Sequence, residues 1–127
     1  MEINELTHQV IGAAIEVHRE FGAGLLESSY QICMRQELTL RGIPFEYERP
    51  LPLIYKGVRL ECGYRLDLLV ANLLIVEVKS VEALLPIHTA QLLTYLRLTG
   101  CKVGLLINFN VPVLIQGVKR VVLDLKE

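Results

Sequence analysis

Apolar residues recur at Ile3, Leu6, Val10, Ala13, Ala14, Val17 and Phe21, with Glu5, Gln9, Glu16 and Glu20 set apart from them. Spacings of three and four place the apolar set on one stripe, so the pattern predicts an amphipathic helix over Ile3–Phe21. Gly22-Ala23-Gly24 breaks it, and a second helix is predicted from about Leu25 to Leu40, ended by Arg41-Gly42. From Pro44 the period changes to two: Phe45 and Tyr47 alternate with Glu46 and Glu48, and Leu51 to Tyr55 leads through Lys56-Gly57 into Val58 to Cys62 as a hairpin. Gly63 to Val70 and Leu73 to Val81 read as two further strands with a short loop at Ala71-Asn72. The second is almost wholly apolar until Glu77, which suits a central strand covered on both faces. Pro86 opens a third helix, Ile87 to Thr99, closed by Gly100. Lys102 to Phe109 reads as a buried strand and Lys119 to Leu125 as an edge strand after the loop Asn110 to Gly117. The predicted order is ααβββαββ, an α/β (α+β) chain.

With 127 residues, 52% of them apolar, the chain can bury a core without disulfides, and one domain over 1–127 is expected. The cysteines, Cys33, Cys62 and Cys101, are odd in number and widely spaced, with no CxxC pairing, so they read as buried thiols of a reducing compartment. No apolar run reaches the roughly 20 residues that span a bilayer, and the acidic start Met1-Glu2-Ile3-Asn4-Glu5 is unlike a signal peptide, which predicts a cytoplasmic protein. Thirteen basic against fourteen acidic residues leave a formal charge of −1, so any nucleic-acid contact must come from a local patch.

Candidate chemistry gathers at the two strands around Ala71-Asn72. Successive side chains of a strand point to opposite faces, so Ile75, Glu77 and Lys79 share one face and Leu74, Val76 and Val78 the other. Asp67 precedes Glu77 by ten residues, and the hairpin register decides whether the two meet. A two-residue loop would pair Asp67 with Val76; a three-residue loop Ala71-Asn72-Leu73 sets it opposite Glu77. The odd register is expected, since Asn72 tolerates the left-handed conformation such a loop needs. Two carboxylates near a covered strand are also costly unless a cation lies between them, and oxygen ligands favour Mg²⁺ or Mn²⁺ over zinc. Lys79 would then stabilise charge on a reacting phosphate. An ordinary solvated strand end would carry the same Glu-x-Lys pair.

Polar residues on the helices add to this set. Glu27 and Tyr30 share a helix face, as do His88, Gln91 and Tyr95. As plain structure, the tyrosines would be core aromatics with a wet hydroxyl, His88 and Gln91 surface residues near a helix start, and Glu27 a carboxylate suited to the helix dipole.

The run Gly24-Leu25-Leu26-Glu27-Ser28-Ser29-Tyr30 reads GxxExxY, and it is followed by Tyr64-Arg65-Leu66-Asp67, Glu77-Val78-Lys79 and His88 through Leu96. Over nearly its whole length the chain resembles the GxxExxY protein family, placed in the PD-(D/E)xK nuclease superfamily. The resemblance implies a restriction-endonuclease-like mixed sheet flanked by helices. It implies metal ligands at Asp67 and Glu77, the catalytic lysine at Lys79, and Glu27 completing the metal shell or holding a second ion. Gln91 and Tyr95 would orient phosphate or the carboxylates, with Tyr30 and His88 as accessory candidates. Leu66 stands where the superfamily's name has proline, which leaves the local strand geometry open.

The function expected on these grounds is Mg²⁺- or Mn²⁺-dependent hydrolysis of DNA phosphodiesters, with a homodimer enlarging a modest basic patch. The alternative is a catalytically silent nuclease-fold domain acting in nucleic-acid binding or protein assembly; RNA or nucleotide hydrolysis is a third reading.

Overall fold

The computed structural model describes residues 1–61 and 63–123. Helices α1 (Ile3–Phe21) and α2 (Glu27–Leu40) come first, then strands β1 (Phe45–Pro50), β2 (Leu53–Tyr55), β3 (Val58–Leu60), β4 (Arg65–Val70) and β5 (Leu74–Lys79). Helix α3 (Pro86–Thr99), β6 (Val103–Asn108), a 3-10 turn (Leu114–Gly117) and β7 (Val118–Val122) complete the order. Five strands form one sheet in the order β1-β4-β5-β6-β7, while β2 and β3 pair separately. The expected hairpin forms as β2–β3 but in a sheet of its own, so the whole chain runs ααβββββαββ and the elements of the main sheet with the helices run ααβββαββ. All pairings in the main sheet are antiparallel except β5 with β6, which is parallel and is bridged by α3.

Burial explains these assignments. Leu6, Val10, Ala13, Ala14 and Val17 of α1 and Tyr30, Met34 and Leu38 of α2 are buried at spacings of three and four, against Leu74, Val76 and Val78 of β5. Ile75 of β5 and Leu106 of β6 instead join Leu92, Tyr95 and Leu96 of α3. Alternate residues of β5 thus face α1–α2 and α3, and β6 is buried throughout. Gly104 permits the α3 contact: a Cβ there would lie 2.9 Å from the Leu92 methyl groups.

The structure departs from the periodicity at several ends. Helix α2 starts at Glu27 rather than Leu25: Leu26 is extended, with φ −66° and ψ 150°, and the Leu25 N–H donates to the Tyr30 hydroxyl. The loop before β7 contains the 3-10 turn, and β7 begins at Val118. The stretch 124–125, expected to end that strand, lies outside the described residues, as does Cys62. Cys33 and Cys101 are free thiols but only half-buried, lying at the margins of the two cores rather than within them. Among the described residues no helix is long and apolar enough to cross a membrane.

Candidate active site

Strands β4 and β5 are joined by Ala71-Asn72-Leu73, with Val70 paired to Leu74, Leu69 to Ile75 and Leu68 to Val76. This is the three-residue loop, and Ala71 and Asn72 both take left-handed φ values of 53° and 57°. Extending the register by one step sets Asp67 opposite Glu77. There the backbone ladder stops and the side chains take over. The Asp67 N–H donates to the Glu77 carboxylate at 3.1 Å, and the Val78 N–H donates to the Asp67 carboxylate at 2.8 Å. Each acid therefore holds the other's strand, at the point where β4 and β5 separate. On the far side of β4, Glu48 is the β1 residue in register with Asp67; its φ of 50° interrupts β1 there.

The carboxylates are strongly perturbed. Burial first, then the Asp67 charge, pushes the Glu77 carboxyl up to about 8, against the opposing pull of the Asp67 N–H and of Lys79. Asp67 is also raised, chiefly by burial and further by Glu27, while the Val78 N–H, Lys79 and the Gln31 amide act to lower it. Two charges of like sign in a low-dielectric setting disfavour joint ionisation. Half-buried Lys79 is the cation that both acids sense.

Tyr95, on α3, is 6% exposed, and its hydroxyl is raised by burial and by the charges of Glu77 and Asp67. Lys79, Glu27 and Tyr95 are thus brought within electrostatic reach of the Asp67–Glu77 pair by β5, α2 and α3. The remaining candidates have other surroundings. Gln91 is exposed, one helical turn before the buried Tyr95 on α3. Tyr30 is fully buried and stacked on Phe109 at 4.5 Å, and its hydroxyl is used by the Gly22 carbonyl and the Leu25 N–H. His88 accepts the Leu85 N–H on Nδ1 at 2.9 Å, closing the first turn of α3. In both residues the polar group serves the backbone. Among the described residues no three His, Cys, Asp or Glu side chains form a group able to hold a metal, so Glu27 does not join Asp67 and Glu77 as a third ligand in this arrangement.

The profile of the PD-(D/E)XK nuclease superfamily matches residues 4–121. The chain belongs to this superfamily. No curated protein and no solved structure matches it. The superfamily's name falls on Leu66-Asp67 and Glu77-Val78-Lys79, with leucine in the place of proline. Leu66 is wholly buried with Leu51 and Leu69, so the position serves the core on the α3 side.

Gln31 and Asn108 were not visible in the sequence as residues of this region. Gln31 follows Glu27 by one helical turn, a spacing that could have flagged it. Asn108 lies at the end of an apolar strand and carries no pattern of its own.

Proposed function

We propose that the chain is a divalent-metal-dependent phosphodiesterase acting on DNA. The observation that carries this reading is the crossed pairing of Asp67 and Glu77 over the parting of β4 and β5, with Lys79 two residues on. A buried and a half-buried carboxylate, both raised by burial and Glu77 further by the Asp67 charge, fit a hard divalent cation, because a positive charge between them removes both the repulsion and much of the desolvation cost. Their remaining lone pairs would hold Mg²⁺ or Mn²⁺, and Glu27 would reach that ion through water or after a side-chain movement. Such an ion, when bound, supplies a nucleophilic water at neutral pH and neutralises phosphate charge.

The chain's own residues do the rest. Asp67 and Glu77 are held by backbone N–H groups, so little side-chain entropy remains to be lost on binding. Lys79 places its ammonium beside the pair, where negative charge on the scissile phosphate grows. The Tyr95 hydroxyl, kept neutral well above physiological pH, serves as a hydrogen-bond donor at the site's edge.

Cleavage of labelled single-stranded DNA, duplex DNA and RNA with Mg²⁺ or Mn²⁺ tests the proposal, with Asp67→Ala and Lys79→Ala as controls. Metal-dependent DNA cleavage that both variants abolish is the expected result. Metal binding without turnover on any substrate would overturn it and favour the silent nuclease-fold domain acting in nucleic-acid binding or assembly.

A further inference from the structure

Asn108 is 2% exposed and stands beside Lys79 in the parallel β5–β6 register. The last backbone bond between these segments runs from the Phe109 N–H to the Lys79 carbonyl at 2.9 Å. Beyond it the Asn108 side chain continues the pairing. Its Oδ1 accepts the Val81 N–H at 3.0 Å and the Asn110 N–H at 3.2 Å, and its Nδ2 donates to the Val81 carbonyl at 3.0 Å. The side-chain amide serves both backbone groups of Val81, as a further peptide unit would.

Between Lys79 and Val81 sits Ser80, whose hydroxyl donates to the Leu25 carbonyl at 2.8 Å. Leu25 lies two residues before Glu27, the first residue of α2. Leu26 is the N-cap of that helix and supplies no side-chain cap, so the restraint α2 itself provides at this end is the Tyr30 hydroxyl on the Leu25 N–H. The Ser80 bond supplies an external restraint there.

We infer that Asn108 and Ser80 are positioning residues that latch the start of α2 to the exit of β5, fixing Glu27 relative to Lys79. The importance of this latch for activity rests on the proposed function; its mechanical part does not. Asn108 bonds neither carboxylate and acts only through Val81, Ser80 and Leu25.

The test is amide hydrogen exchange at Ser29 and Tyr30, whose N–H groups both donate to the Leu26 carbonyl. In Ser80→Ala their exchange should rise about fivefold, the factor for losing one hydrogen bond of ordinary net strength, with β6 unchanged. Ser80→Thr, which keeps the hydroxyl, should restore it. Asn108→Ala should loosen Ser29 and Tyr30 as well as Val81 and Asn110; if it does not fold, the Ser80 pair still decides. Unchanged exchange at Ser29 and Tyr30 in Ser80→Ala overturns the latch whether or not the protein cleaves anything.

Mn²⁺ affinity separates the two readings. Ser80→Ala and Glu27→Gln should each weaken it, and the double variant should be no weaker than Glu27→Gln alone. Additive losses overturn the claim that Ser80 acts through Glu27. A wild type that neither binds Mn²⁺ nor cuts DNA defeats the proposed function, and hydrogen exchange alone then decides whether the latch exists.

Discussion

The two ends of the β4–β5 pair are built from the same strands and obey opposite rules. At the turn end, Val70 and Leu74 are buried, the ladder is backbone to backbone, and local conformation carries the burden through two left-handed residues. At the open end, one step past Leu68 and Val76, the bonds pass to ionisable side chains, in a place where burial makes ionisation costly. The first arrangement is self-sufficient. The second is satisfied as hydrogen bonding but unsatisfied as electrostatics, and on that imbalance the proposed metal site rests.

Removing the carboxylate from the open end should have the largest effect. Asp67→Ala is expected to reduce cleavage by roughly three orders of magnitude or more in initial-rate assays, since it deletes an oxygen of the proposed metal site and the acceptor of the Val78 N–H. Lys79→Met should lower kcat by roughly 10²-fold with a much smaller change in KM, because the ammonium is needed mainly as charge develops.

A pH series on the metal-free protein sharpens the electrostatic half of the contrast. Folded Glu77 titrates near 8 and the unfolded residue near 4.5, so between those values the folded chain holds a proton that the unfolded chain has lost. Stability should therefore fall as pH rises through that window, by up to roughly 5 kcal/mol for this group. Urea melts of Glu77→Gln should lack most of that slope, and Mg²⁺ should offset the loss near pH 8 in the wild type. A slope unchanged by Glu77→Gln would place the cause elsewhere.

The turn end offers the smallest effect and the cleanest contrast. Ala71→Gly relieves a left-handed φ of 53°, which should stabilise the fold by about 0.5–1 kcal/mol in the same melts. Cleavage should be unaffected.

Much of this was legible beforehand because it depends on local rules. The stripe of Leu6, Val10, Ala13 and Val17 fixes α1, Pro86 and Gly100 bound α3, and the unbroken apolar run of β5 marks a strand covered on both sides. Asp67, Glu77 and Lys79 were readable since one turn length decides their register. His88 and Tyr30, accessory candidates by pattern, both bond backbone groups, and a polar group on a helix face looks the same in sequence whether it serves a ligand or closes its own backbone. Gln31 and Asn108 escaped notice because what they contact is remote in sequence.

The order of periodic segments and the odd parity of one loop are properties of neighbouring residues, and the chain alone determined them. Which carboxylates are buried, that Tyr95 comes within reach of them, and that side chains of Asn108 and Ser80 bond to backbone remote from them were decided only in three dimensions. The physical reason is that desolvation and hydrogen-bond partnership depend on what packs nearby, and here those neighbours come from segments far apart along the chain.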